Sequence, residues 1–451
     1  MEDKSGSMDT KSLPPVFEID AERCTNCHRC IGVCPVKYCN DASDTSKGIV
    51  VDHNLCIGCG ACIRACTHKA RVPVDDTEMF LSDLRNGVTV ATLVAPAVAA
   101  NFGEQLGNLL SWMKSAGVKM NFDVSFGAEI TTYQYYKAVQ SGVKTPIIAQ
   151  PCPAVVSFIE IYKPHLIEHL APTGSPTTHM ATWVHSKHPG MKLAFIGPCI
   201  AKKREFADEN TKGLVHYNVT IAGLKKYFAE HGIDLSQYSI ENFDGPMQAE
   251  RGLLYSQPGG LFETFKRYGV PLKIHQVRRT EGPEIYEEYF DELEREIAAG
   301  ECDVVIVDIL NCLHGCNRGT GVVYEETTTD SILKTQAERL EKHIDQYYDS
   351  DSRRAELEKL LQSMEGLDFS RKYTDKSAWF TSLQDPTPEM IDILHEEMGK
   401  TSAKDKKNCG ACGYHSCDAM SKAILNGLYR PQQCHHYLEK FYEKQLAGTN
   451  T

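Results

Sequence analysis

The central part of this chain, roughly residues 86 to 400, alternates two kinds of apolar pattern. Short unbroken apolar runs rich in β-branched residues read as buried strands: "GVTVATLVAP" from Gly87, "VKTPIIAQP" from Val143, "HPGMKLAFIGP" from His188 and "CDVVIVDI" from Cys302. Between them, stretches such as "NFGEQLGNLLSWMKSAG" from Asn101 read as helices. Strands that are apolar throughout and alternate with helices predict an α/β fold whose parallel sheets are covered on both faces. In such sheets, sites form at the carboxyl ends of strands. Cys152, Cys199 and Cys312 each follow one of these runs, and Cys316 lies close behind. The strand ends are therefore expected to bring four thiols into one pocket, a set that suits a metal cluster.

The chain has 451 residues, which predicts about three domains, and its 42% apolar share is enough for a sizeable core. The net charge of −12 points away from a general nucleic-acid binder. No apolar run is long enough to span a bilayer, and the polar start "MEDKSGSMDTKSLPP" has no apolar signal core. A soluble cytoplasmic protein, with no nucleic-acid or membrane partner, is the expectation.

Cysteine changes the picture most. There are 18, at short fixed spacings in a long chain, which suits metal ligation in a reducing compartment better than disulfides. "CTNCHRCIGVCP" places Cys24, Cys27, Cys30 and Cys34, and "CIGCGACIRACT" repeats the pattern with Cys56, Cys59, Cys62 and Cys66. This is the two-cluster ferredoxin run, in which each fourth cysteine serves the other cluster. One 4Fe–4S cluster is thus expected on Cys24, Cys27, Cys30 and Cys66, and a second on Cys56, Cys59, Cys62 and Cys34. Thr67 stands where proline is usual after the fourth cysteine. A third set, Cys409, Cys412, Cys417 and Cys434, closes the chain, with "DAMSKAILNGLYRP" between its last two members reading as a helix. It resembles a small 4Fe–4S module of anaerobic redox proteins. Zinc also suits four cysteines on a loop and a helix, and His415, His435 and His436 keep that alternative open. Cys39 and Cys302 read as structural.

Taken together, the central motifs resemble the catalytic domain of iron-only (FeFe) hydrogenases. In that family four cysteines hold a 4Fe–4S cluster, and one of them bridges to a diiron unit carrying CO, cyanide and an azadithiolate. "QPCPAV" matches the first motif with Cys152, "GPCIAKKRE" the second with Cys199, and "DILNCLHGC" the third with Cys312 and the bridging Cys316. Lys202 matches the lysine that donates to a cyanide, as a buried anionic ligand requires. Glu205 matches the glutamate near it. "APAV", with Pro96 and Ala97, resembles the strip that walls the cofactor, and "PGGLFETF", with Gly259 and Gly260, resembles a glycine pair followed by an acid, Glu263. The resemblance implies a two-lobed catalytic domain over 86–400. A two-cluster ferredoxin domain would precede it over 16–85, a four-cysteine module would follow over 401–451, and a polar tail would occupy 1–15.

The departures bear on function. Active members of the family carry two adjacent cysteines in the first motif, the first relaying protons; here Pro151 fills that place. The acidic and hydroxyl positions of the usual proton path fall on Thr131, Gln134 and Ala171, with Glu129 the nearest acid. A methionine usual near the bridging CO is replaced by Gly197, beside Pro198, in the second motif and by Leu310 in the third. Asp308 stands where the third motif has glutamate. A lost relay should slow turnover but leave hydrogen binding intact, a pattern that looks like the sensory branch of the family. That branch is thought to report hydrogen to a separate partner protein, with H2 and protons as its small-molecule partners. The rival readings are an iron–sulfur assembly factor or an electron-transfer relay, both without a diiron unit.

Overall fold

A computed structural model of the chain describes residues 12–448, so most of the polar tail expected over 1–15 lies outside the described residues. The ferredoxin-like part is held by two short antiparallel pairs. β1 (Phe17–Ile19), β2 (Asn40–Asp41), β3 (Val50–Val51) and β4 (Arg71–Pro73) pair as β1 with β4 and β2 with β3. Each cysteine loop runs into a one-turn helix, Arg29–Gly32 or Ala61–Ala65. The loops turn through left-handed residues, His28 (φ 59°) and Gly60 (φ 73°), which let the chain double back around a compact group.

The central segment carries two all-parallel sheets among the described residues. The strands are β5 (Val90–Val94), β6 (Asn121–Asp123), β7 (Ile147–Ile148), β8 (Lys192–Gly197), β9 (Tyr217–Thr220), β10 (Val277–Glu281) and β11 (Ile306–Leu310). One sheet has the order β6-β5-β8-β9 and the other β10-β11-β7. All five residues of β5 and of β11 are buried, which is why these strands read as unbroken apolar runs. The helix expected from Asn101 is broken. Pro96–Phe102 is helical, Gly103 turns at φ 56°, and a new helix runs Leu106–Ser115. Glycine is the residue that reaches that conformation without strain.

Two cores follow from the two sheets. The first sheet and its helices bury Leu93, Trp112, Phe122, Ile196 and Val219 in one. The second sheet shares its core with the ferredoxin part and the C-terminal module: Ile147, Ile306, Ile31, Cys62, Met420 and Tyr429 belong to one buried cluster. The helix Val124–Gln140 links the lobes. It packs on Pro176–Lys187 so closely that a Cβ at Gly127 would come 2.1 Å from the Pro176 carbonyl oxygen.

His179 locks that helix pair. Its Nδ1 lies 2.8 Å from the Thr131 hydroxyl and its Nε2 2.9 Å from the Thr173 hydroxyl. Burial pushes its pKa down to about 3. The unfolded chain takes up this proton near pH 6.5 and the folded chain does not, so stability falls as pH drops below that value. Between pH 7 and pH 5 this one site should cost about 2 kcal/mol. Chemical denaturation at both pH values, for wild type and His179→Gln, checks it: the variant's loss should be smaller by that amount.

Candidate metal centres

The carboxyl ends of β7, β8 and β11 open onto one cavity. Cys152, Cys199, Cys312 and Cys316 line it, together with Pro151, Pro96, Ala97, Pro198, Leu310 and Lys202. Each cysteine follows its strand for a local reason. Cys152 is the N-cap of the buried helix Pro153–Tyr162, and Cys316 follows Gly315, whose φ of 73° reverses the chain. A Cβ on Gly315 would meet the Ser256 carbonyl oxygen at 2.5 Å, so the loop can lie there only because this residue is glycine.

Burial pushes all four thiols up, Cys199 to about 12 and Cys312 to about 11, with Cys152 and Cys316 raised as well. Four half-buried thiols facing one cavity give up their protons together only to a metal, so the donor set fits an iron–sulfur cluster. Lys202 supplies fixed positive charge. Its ammonium donates to the Ser175 hydroxyl at 3.1 Å and to Glu205. Glu205 is fully buried, lies behind the lysine rather than in the cavity wall, and also accepts from Arg371 at 3.2 Å. Lys202 is the cation that lines the cavity, and a buried cation there suits anionic ligands.

The ferredoxin thiols fall into two further cavities. Cys24, Cys27, Cys30 and Cys66 line one, beside His68 and Arg71. Cys34, Cys56, Cys59 and Cys62 line the other, and Cys39 stands there as a fifth thiol, its sulfur 3.8 Å from that of Cys34. The buried guanidinium of Arg71 lines both cavities, and Cys62 and Cys30 raise its pKa, so it is a shared countercharge. Cys59 also lines the central cavity, and Asn311 donates to its carbonyl oxygen at 3.1 Å from beside Cys312. At the C-terminus, Asn408, Gly410 and Gly413 take positive φ and wrap the loop. The Asn408 side chain accepts from the Cys417 N–H at 2.8 Å, and Cys409 and Cys434 both act electrostatically on Cys412. His415, His435 and His436 engage Glu287, Glu439 and Asp405.

The model of the iron-only hydrogenase large subunit, C-terminal domain, matches residues 88–320. The chain belongs to that family. A 4Fe-4S dicluster domain matches residues 17–67 and an Fe-S cluster module residues 405–436. Among curated relatives, the NADP-reducing hydrogenase subunit HndD of Solidesulfovibrio fructosivorans is 26% identical over 298 residues, 56% of this chain and 51% of that one. Iron hydrogenase 1 of Clostridium pasteurianum is 25% identical over 296 residues, 50% of this chain and 51% of that one. The cytosolic Fe-S cluster assembly factor NAR1 of Eremothecium gossypii is 25% identical over 170 residues, 34% of this chain and 38% of that one. The chain thus spans about half the length, or less, of these relatives. Among solved structures, the [FeFe]-hydrogenase HydA1 of Chlamydomonas reinhardtii, in variant form, overlays with a TM-score of 0.45 at 18% identity, covering 58% of this chain and 88% of that one. The protein is a hydrogenase-like iron–sulfur protein.

The remaining sequence-derived positions are spread more widely in this hydrogenase-like chain. Gly197 does not line the cavity; a Cβ there would strike the Phe195 ring at 2.3 Å. Thr131 is spent on the Gly127 carbonyl and His179, and Ala171 is buried against β7. Glu129 is paired with Arg267 and accepts from the backbone N–H groups of Glu250 and Gly252. Asp308 is buried in β11, its pKa pushed up to about 6 by desolvation, and accepts from the Phe262 N–H. Ser175, Arg371 and Arg71 carry no mark in their neighbourhoods along the chain, and Asn311, although inside the third cysteine motif, shows its role only through its contact with the Cys59 carbonyl oxygen.

Removing one partner of the buried triad should be costly. Arg371→Met leaves Glu205 with Lys202 alone, and stability should fall by about 3 kcal/mol. Iron content should stay at the wild-type value, because no cysteine is touched. Denaturation curves together with iron analysis of the folded fraction check both parts.

Proposed function

We propose that this chain is a hydrogen-sensing member of the iron-only hydrogenases. It would interconvert H2 with protons and electrons slowly and reversibly, and report hydrogen through the state of its clusters to a separate, unidentified partner. The observation that carries the reading is Pro151 in the cavity wall beside Cys152. Proline has no ionisable group, so the position next to the cluster cannot pass a proton.

Cys152, Cys199, Cys312 and Cys316 would hold a 4Fe–4S cluster, with Cys316 also bridging to a diiron unit. When bound, that unit supplies the cleavage and formation of H2. The protein's part is to bind, orient and isolate. Lys202 offers a buried cation to anionic ligands, and Glu205 and Arg371 fix its position. Pro96, Ala97, Pro198 and Leu310 make the wall apolar. No ionisable side chain at positions 131, 134 or 171 replaces the missing thiol, and Glu129 is held by an arginine and two backbone donors. Proton exit is then the slow step. Electrons leave toward Cys59, which borders both the central cavity and the neighbouring ferredoxin cavity.

A second reading, an assembly-type or electron-transfer protein without a diiron unit, is supported by the likeness to NAR1. Lys202 in the apolar cavity wall favours the first reading, since its ammonium, although paired with Glu205, also suits anionic ligands there.

Infrared spectroscopy on matured protein separates the two readings, because CO and cyanide stretches arise only with the diiron unit. Matured protein should carry about 18 irons and protein without that unit about 16. A value near 12 with stoichiometric zinc would refute iron at the C-terminal module. Cys316→Ala should abolish the CO and cyanide bands and spare the ferredoxin clusters. A full relay contributes about 10²- to 10⁴-fold. Hydrogen turnover of matured wild type should therefore lie below relay-bearing relatives by that order, and Pro151→Cys alone should recover less than about tenfold. Wild-type turnover as fast as theirs would defeat the sensing reading.

A further inference from the structure

The C-terminal module is built into the ferredoxin part. Tyr414, Met420 and Tyr429 share a buried cluster with Cys30 and Ile31. Gly413, at φ 92°, lies against the loop between Cys30 and Cys34, where a Cβ would come 2.8 Å from that of Ile31. The Ala42 N–H donates to the Leu428 carbonyl at 2.9 Å, and Gln433 donates back to the Ala42 carbonyl at 2.7 Å.

At the centre of this contact, the Tyr429 hydroxyl lies 2.8 Å from Nδ1 of His28 and 3.0 Å from the carbonyl oxygen of Cys412. His28 stands between Cys27 and Cys30 of the first ferredoxin set, and Cys412 belongs to the C-terminal set. The hydroxyl has one proton, and a carbonyl can only accept it. Nδ1 of His28 therefore carries the imidazole proton and donates to the tyrosine oxygen, and Nε2 is the unprotonated nitrogen. Nε2 is buried without a hydrogen-bond partner among the described residues. Two hydrogen bonds thus join a residue flanked by ligands of one cluster to a ligand residue of the other.

We infer that the Tyr429–His28 pair is the contact across which one electron passes between the C-terminal module and the cluster of Cys24, Cys27, Cys30 and Cys66. This rests on the reading that both sites hold 4Fe–4S clusters. One cluster is oxidised by one electron and the other reduced by one. No proton moves, because Tyr429 keeps its hydroxyl proton and His28 its Nδ1 proton. The module is then the outer end of a line of four centres. Arg71 lies between the second and third, and Asn311 joins the third to the fourth. The other possible crossing, Tyr414 to Tyr38 and on toward Cys39, is broken at its middle: the Tyr414 carbonyl oxygen accepts from the Cys412 thiol at 3.9 Å, but the two rings only touch, 5.9 Å apart, and the Tyr38 hydroxyl donates to the Ala419 carbonyl oxygen at 3.4 Å.

The test uses the full chain with reconstituted clusters and metal analysis. In electron paramagnetic resonance during stepwise reduction, the signals of the module and the first ferredoxin cluster should broaden each other when both are reduced. Cys409→Ser with Cys412→Ser should remove that broadening. Tyr429→Phe keeps the ring and loses the hydroxyl. After flash reduction it should slow equilibration between the two clusters several-fold, with iron content and both potentials unchanged. His28→Phe, which breaks the same contact from the other side, should slow it too. A purely structural tyrosine would shift iron content or potentials and leave the rate alone. An unchanged rate in both variants, or broadening of the Cys34, Cys56, Cys59 and Cys62 cluster instead, overturns the inference. Zinc in the module would sink the cluster reading and the relay with it, whereas iron there without mutual broadening sinks the relay alone.

Discussion

Buried thiols can be ionised together only if a cation holds them, and the rest of this structure is arranged around that demand. Four thiols from three strand ends converge on one largely apolar cavity. Two sheets with two separate cores must therefore be held at a fixed relation to each other. The helix Val124–Gln140, packed at contact distance on Pro176–Lys187 and pinned through His179, provides part of that rigidity. Lys202, Glu205 and Arg371 provide charge that the thiols and iron do not.

The same demand explains why the smaller modules are not loosely tethered. Each ferredoxin cavity needs a nearby cation, and one arginine serves both. The guanidinium of Arg204, on a helix that follows Cys199, bonds carbonyl oxygens of Cys56 and of His53. The ferredoxin loop is thereby fastened to the central lobe. The C-terminal module shares the ferredoxin core for a similar reason: a segment this short cannot enclose a core of its own and buries its apolar residues best against a neighbour.

The site is therefore strong in what holds metal and poor in what moves protons. Its wall is apolar, Pro151 occupies the place next to Cys152, and the nearby acids are tied down: Glu129 by Arg267, Asp308 by a backbone donor.

How much of this could be read from the chain depended on whether the signal is local. Ligand spacing is local, because a loop must wrap a cluster within a few residues, so both ferredoxin sets, the C-terminal set and the helix Cys417–Leu425 were legible. Strands buried on both faces carry continuous apolar runs, so β5, β8 and β11 were legible, and their ends gave the pocket. β6, of three residues, and β10, reading "VRRTE", carry no such run, and only their neighbours in the sheet make them strands. The break at Gly103 was hidden because a glycine inside a helical pattern does not announce its φ. The sequence by itself determined which residues can bind metal and that Pro151 cannot pass a proton, since those are properties of single side chains. Only the tertiary structure decided that Arg371 steadies Lys202 through Glu205, that Cys39 joins the second ferredoxin cavity, and that Tyr429 meets His28 across 401 positions of chain. Those pairings are made by packing between segments far apart in sequence, and such packing leaves no periodic mark on either segment.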